Sequence, residues 1–375
     1  MKRIRTRAVL FAQAIVVLAV LACAPASPSG PAGAPASGDG RSPQSAAPKN
    51  LTIAIGRELD AWQFDLIRVT RGSGLSFVTR IAQSNLVVEG DNFVWEPVLA
   101  TEQLSFERGT WRINTDGTMV TTWRIHPNIK WHDGRPFTSD DLMFTFGVMT
   151  DREVPNSSGA ALRIMESAEA PDPYTFVINW AGPYVDADQA PWLFPMPRHL
   201  LDDSYKRDKP NFPNHPWMTT DFVGLGPYRF TRWEPGSHLE FERFADYFKG
   251  RPAFDTVIVR FILDENTMIA SMLAGQVDFL PPNVNIDLDA ALAVKQRWEG
   301  TGNRVTGDLS GRYVTVEVQH RLELARPANG LSNREVRQAF YRAIDRDQIA
   351  DVITGGLAPP ADSWFFPNHP LRSQV

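Results

Sequence analysis

Several residue clusters in this chain have the types and spacing that chemistry could use. The tetrapeptide Pro-Asn-His-Pro occurs twice, around His215 and His369. Two such imidazoles could ligate one metal, or each could sit in a Pro/Asn turn that needs none. Asp140-Asp141 and Asp202-Asp203 could be acid/base pairs, or charges at a helix start and on a surface. Gly224-Leu225-Gly226 is followed by Pro227, which has no N–H to donate, so it does not open a phosphate-cradling helix. The sequence carries no H-E-x-x-H, C-x-x-C, G-x-S-x-G or G-x-x-x-x-G-K-[ST] signature. Neither a catalytic set nor a resident metal or cofactor is therefore expected.

Cys23 is the single cysteine of the chain, which excludes an internal disulfide. Lys2, Arg3, Arg5 and Arg7 precede an apolar run over 8–22, broken only by Gln13. That run suits the core of a signal peptide better than a spanning helix of roughly 20 residues. It ends in Val20-Leu21-Ala22-Cys23, which resembles a bacterial lipobox with Leu21 where a small residue is usual. Residues 1–23 are thus read as a lipoprotein signal peptide with Cys23 as the lipidation site. The other reading is a plain secretory signal in which Cys23 is incidental. Residues 24–50 are almost all Ala, Pro, Ser and Gly, which cannot bury enough apolar area to fold. As a disordered linker they would span roughly 30 Å, enough for a tethered globule to reorient above a membrane.

Hydrophobic residues make up 43% of the chain and charged residues 22%, ordinary for globular domains. The formal net charge is −5, with no basic stripe, so no nucleic-acid partner is expected. No second apolar run reaches spanning length, and the lipid would be the sole anchor.

The segments that would position a site are clearest between 224 and 279. Residues 228–233 alternate like a half-buried strand, and Glu234-Pro235-Gly236-Ser237 is a reversal. Residues 238–243 return with Leu239 and Phe241 on one face and Glu240 and Glu242 on the other. Residues 256–262 form a near-continuous apolar run, predicting a strand covered on both faces. Met268, Ile269, Met272 and Leu273 recur at helical spacing before Gly275. Upstream, 111–125 reads as a hairpin around Asp116-Gly117, and 174–180 as another strand. In Trp131-His132-Asp133-Gly134-Arg135-Pro136-Phe137-Thr138, the Asp-Gly pair predicts a tight turn. Thr138 is placed to cap a helix with Asp141 three residues on and Leu142, Phe146 and Met149 as its apolar stripe. Gly226 is expected to need backbone freedom that a Cβ would restrict.

This order of segments, together with Arg334-Glu335-Val336-Arg337-Gln338-Ala339 running to Ala343-Ile344-Asp345-Arg346, strongly resembles the extracellular solute-binding proteins that serve peptide, oligopeptide and nickel ABC importers (family 5). The resemblance runs from about residue 51 to the last residue. It implies an α/β, periplasmic-binding-protein-like fold (type II, three-lobed), with two lobes around a hinged cleft. Domain I would use 51–62 plus 200–308, domain II would be the insertion 63–199, and domain III would start at 309–375. Members of the family continue well beyond the "A-I-D-R" helix, so the chain is expected to be a C-terminally truncated form. The implied function is non-enzymatic: a lipid-anchored monomer captures a small solute, with a peptide as the expected class. It would then pass the solute to ABC permease subunits in the membrane, itself held to the bilayer through acylated Cys23 outside the cytoplasm. The resemblance places ligand-binding residues at Glu58 and Trp62, after the first strand, and at Tyr313 and Glu317, on the strand opening domain III. There Val316-Glu317-Val318 replaces the family's Asn-containing segment; Glu317 would favour a cationic ligand group or be a surface residue. A different class of reading rests on 11 Trp and 22 Phe: a secreted hydrolase or carbohydrate-active enzyme with an aromatic-lined cleft, which turnover of a bound ligand would distinguish.

Overall fold

Strand β1 (Asn50–Ile55) runs parallel to β10 (Thr256–Phe261), which lies some two hundred residues later in the chain and pairs with it from Asn50↔Thr256 to Ile55↔Phe261. In this computed structural model the described residues are 48–62, 75–90, 94–155, 160–189, 193–281, 284, 286–306, 318–319, 321, 323–324, 326, 331–357 and 360. Cys23, most of the 24–50 linker, Tyr313, Glu317 and His369 lie outside them.

The first sheet has the order β1-β10-β9-β8, with β8 (Tyr228–Glu234) and β9 (His238–Arg243) antiparallel to their neighbours. The reversal between them places Gly236 at φ +72°, a conformation that favours glycine. One face of the sheet packs Ile53, Ile55, Phe230, Leu239, Phe241, Val257, Val259 and Phe261 into a core with Trp62 and Trp217. The other face puts Ala54 and Ile262 against Met268 of α5 (Glu265–Leu273) and Val277. Strand β10 was expected to be covered on both faces. Its burial instead alternates, with Val257, Val259 and Phe261 inside and Arg260 exposed, because among the described residues the second face meets only this small cluster. Helix α5 is capped by the Asp264 carboxylate, which accepts the Thr267 N–H at 2.8 Å, and it stops at Gly275, φ +69°.

The second sheet, order β4-β5-β7-β6, is antiparallel throughout. It is built from β4 (Trp111–Ile113), β5 (Met119–Arg124), β6 (Met165–Asp172) and β7 (Thr175–Trp180). Gly117, at φ +87°, turns β4 into β5. A ribbon of β2 (Val87–Glu89) and β3 (Trp95–Pro97) stands beside it. Trp123, Phe176, Ile178, Trp180, Trp131 and Phe137 fill its core.

Helices α1 (Leu75–Ala82), α2 (Ser139–Thr150), α3 (Ala160–Ile164) and α4 (Arg198–Arg207) lie around these sheets. Helix α2 begins with the Thr138 N–H donating to the Asp141 carboxylate at 3.0 Å. It buries Leu142 in the second core and Phe144, Val148 and Met149 in the first. Two faces are used because the helix stands between the cores, so the single stripe through Phe146 was too narrow a reading. Val78 and Ile81 of α1 also pack in the first core, although α1 belongs to the segment inserted between β1 and β8. Helices α6 (Leu288–Arg297), α7 (Arg334–Ala343) and α8 (Arg346–Thr354) follow. The chain breaks between α7 and α8 because Asp345 caps the second helix, accepting from the Gln348 N–H at 2.9 Å.

The two cores meet at Gly224-Leu225-Gly226. Leu225 is buried in the second core, and Val223 packs against both. The Gly226 N–H donates to the Ala82 carbonyl at the end of α1 (2.9 Å). The Leu225 N–H donates to Gln83 Oε1 (2.8 Å), whose Nε2 donates to the Pro195 carbonyl (2.8 Å). From the other side, His132 N–H donates to the Gly224 carbonyl (3.0 Å), and the imidazole meets Gly224 N and Gly226 O. A Cβ on Gly226 would stand 2.6 Å from Gln83 N and 2.7 Å from Ile81 O, and one on Gly224 would overlap the Ala82 carbonyl. Neither glycine has positive φ. Close approach of two backbones, rather than special dihedrals, is why a side chain is excluded. Past Pro227, the Phe244–Phe248 stretch adds a second strap. Phe248 packs on the second core, and Lys130 pairs with Asp246 at 2.7 Å across exposed surface.

Gly226→Ala is expected to lower stability by about 3 kcal/mol, since rigid backbone has to yield. Gly147→Ala, in α2 with open space around its would-be Cβ, is expected to be neutral or stabilising by up to about 1 kcal/mol. Urea unfolding of both variants checks this, and equal midpoints would refute the close-approach argument.

Candidate functional site

In open α/β sheets, ligand crevices lie beyond the carboxyl ends of parallel strands. Here those ends are Ile55 of β1 and Phe261 of β10, tied by the Ile262 N–H donating to the Ile55 carbonyl at 3.0 Å. Beyond them stand Arg57, which pairs with Asp60 at 2.9 Å, and Leu263, which is 76% exposed. On the outer edge of β1, the Ala54 N–H donates to the Phe279 carbonyl at 3.1 Å and Asp278 N–H to the Thr52 carbonyl at 2.8 Å. Phe279 lies partly exposed with its ring 5.4 Å from that of Phe77. The edge thus presents an apolar side chain, an aromatic pair and an exposed guanidinium–carboxylate pair. Such groups can hold a small polar or amphipathic solute by contact and charge.

Glu58 sits at this end, but its carboxylate is engaged. It accepts from Trp233 Nε1 at 2.8 Å and from the Gly236 N–H at 3.1 Å to each oxygen. It therefore pins the β8–β9 turn to the segment after β1. Trp62, read from the sequence as lining the cleft, is corrected by its burial. It is fully enclosed in the first core, stacked on Phe222 with ring centres 4.5 Å apart and edge-on to Phe230 and Phe241. Its Nε1 donates to the Thr219 carbonyl at 2.7 Å. The indole completes a core and is not turned toward solvent. Tyr313 and Glu317 lie outside the described residues.

The other sequence candidates take structural roles. His215 Nδ1 accepts the Trp217 N–H at 3.1 Å and caps a short 3-10 turn (Pro216–Met218), which is the turn reading of Pro-Asn-His-Pro. Among the described residues, no group of three His, Cys, Asp or Glu side chains could hold a metal. Asp141 is buried and accepts from Thr138 N, Arg198 N and Trp131 Nε1; burial pushes its carboxyl up despite those bonds. Asp140 points elsewhere, 3.6 Å from the Arg198 guanidinium, so the two carboxylates do not work as a pair.

One arrangement has the residue types of hydrolytic catalysis. Ser237 Oγ lies 2.8 Å from His238 Nδ1, and His238 Nε2 lies 2.8 Å from Glu240 Oε1. Serine and histidine are chain neighbours on an exposed turn, and Glu240 also faces Arg232 at 3.7 Å. Ser237 itself is exposed to solvent on that turn.

Sequence reasoning missed the joint-forming roles of His132 and Gln83. Trp131-His132-Asp133 and Gly224-Leu225-Gly226 each stood out alone, yet nothing in one chain says that they touch. Gln83 carried no signal at all.

The oligopeptide-binding protein AppA of Bacillus subtilis is 26% identical over 272 residues, covering 68% of this chain and 44% of AppA. A putative ABC transporter peptide-binding protein of Brucella ovis is 29% identical over 267 residues, 67% of this chain and 47% of that protein. The chain thus spans less than half the length of these relatives. In fold, the structure of AppA in complex with a nonapeptide matches with TM-score 0.63 at 20% identity, covering 88% of this chain and 60% of that one. The oligopeptide-binding protein of Thermus thermophilus complexed with a pentapeptide matches with TM-score 0.62 at 21% identity, covering 87% and 60%. These structures establish a periplasmic-binding-protein-like α/β fold. Residues 95–374 match the family described as bacterial extracellular solute-binding proteins, family 5 middle region. This chain belongs to the family 5 bacterial extracellular solute-binding proteins.

Proposed function

We propose that this protein is the solute-binding component of an ABC importer, that it captures a small solute in a cleft between lobes, and that it hands the solute to the membrane permease. A peptide is the favoured class of solute. The observation that carries this reading is that one relative, AppA, is matched both in sequence over 68% of the chain and in fold over 88% of it. The edge beyond β1 and β10 supports it, because Arg57, Leu263 and Phe279 offer charge and apolar contact. In this reading Glu58 is a positioning residue that holds the β8–β9 turn beside the cleft. Tyr313 and Glu317 remain ligand contacts by resemblance, with Glu317 facing a cationic group of the solute or lying on the surface. Binding proceeds without turnover, as a monomer, with capture by hinged closure of one lobe on another.

Calorimetric titration of the full chain with short peptides of varied charge tests the reading. Saturable binding with no chemical change in the peptide is expected, and Arg57→Ala is expected to weaken it several-fold without moving the melting temperature. Failure of every peptide to bind, or hydrolysis of any of them, would overturn the peptide-receptor reading.

The anchoring part of the proposal has its own test. Cys23 would carry the lipid, and Cys23→Ala is expected to release the protein from membranes or leave an unprocessed precursor. Fractionation of Cys23→Ala identical to the wild type would contradict lipid anchoring.

A further inference from the structure

The imidazole of His132 is used from both sides at the junction of the two cores. Nδ1 accepts the Gly224 N–H at 3.2 Å, which leaves Nε2 to carry the proton and donate to the Gly226 carbonyl at 3.0 Å. The residue is 3% exposed, and its ring stands edge-on to Phe244, with centroids 5.1 Å apart. Only the neutral ring with its proton on Nε2 satisfies both partners. A second proton, taken from solvent onto Nδ1, would turn that acceptor into a donor facing another N–H, inside a site that water does not reach.

We propose that His132 is an acid-sensitive lock on the Gly224–Gly226 joint, closed only while its imidazole is neutral. The charged groups acting on it are Asp133, on its own turn, and Arg229, on β8. Asp133 is itself engaged by His199 at 2.6 Å, and Arg229 is held by Glu242. The end of α1 contributes only uncharged Gln83 and backbone to the same joint. Burial holds the His132 pKa down from 6.5 to about 4, with the Gly226 carbonyl opposing the shift. Because the folded value is depressed, the stability it contributes is complete above about pH 6.5 and is lost as pH falls toward about 4. This behaviour goes beyond solute capture and does not depend on it.

The test is urea unfolding of the full chain and of His132→Asn, whose side-chain oxygen can still accept the Gly224 N–H but does not titrate. Carboxylates elsewhere titrate in both proteins, so the difference between the two isolates the imidazole. The wild-type advantage in folding equilibrium is expected to shrink by a factor on the order of 100 between pH 7.5 and 4.5. A difference that stays constant over that range would overturn the proposal. If His132→Asn does not fold, hydrogen exchange of the wild type replaces it. After correction for intrinsic rates, protection of 222–228 should fall at least tenfold between pH 6.5 and 4.5. Protection of 222–228 that stays constant over that range would likewise overturn the lock.

Discussion

Two backbones approach each other at Gly224–Gly226 more closely than any side chain would allow, and much of the described structure depends on that contact. On one side the end of α1 accepts the Gly226 N–H and offers Gln83 to Leu225. On the other, His132 uses its ring and its own N–H on Gly224 and Gly226. Buried backbone polar groups must find partners or cost on the order of 1–3 kcal/mol each. Here they find them across the boundary between two cores. The hydrogen bonds that satisfy this segment therefore also join the sheets, and Leu225 and Val223 add apolar packing to the same joint.

This joint determines what the first sheet can present. The end of α1, His132 and the Phe244–Phe248 strap tie the sheet β1-β10-β9-β8 to its neighbour. Glu58 continues the same logic by holding the β8–β9 turn with three hydrogen bonds.

Much of the fold was legible in sequence wherever local chemistry decides structure. The turns at Asp116-Gly117 and Pro235-Gly236, the stop of α5 at Gly275 and the Thr138/Asp141 helix start all have causes within a few residues. Legibility failed where the cause is distant in the chain. Strand β10 looked doubly covered because its sequence is apolar, yet among the described residues only one of its faces meets a large core. Helix α2 looked single-faced, yet it divides its side chains between two cores. Trp62 was assigned to a cleft from its place after the first strand. Whether an indole in a loop points inward depends on Phe222, Phe230 and Phe241, which arrive more than 150 residues later. Gly226 was recognised as intolerant of a side chain, but for its dihedrals rather than for the backbone of α1 pressed against it.

The account rests on the two cores being one cooperative unit joined at Gly224–Gly226. Native-state hydrogen exchange across a series of sub-denaturing urea concentrations addresses this most directly, by following amides of β9 and β10 beside those of β5 and β7. The opening free energies of both sheets are expected to converge on a single isotherm as urea rises, with the Gly226 amide joining them. Two separate isotherms, with the second sheet opening while the first stays protected, would contradict the joint as the element that holds the structure together.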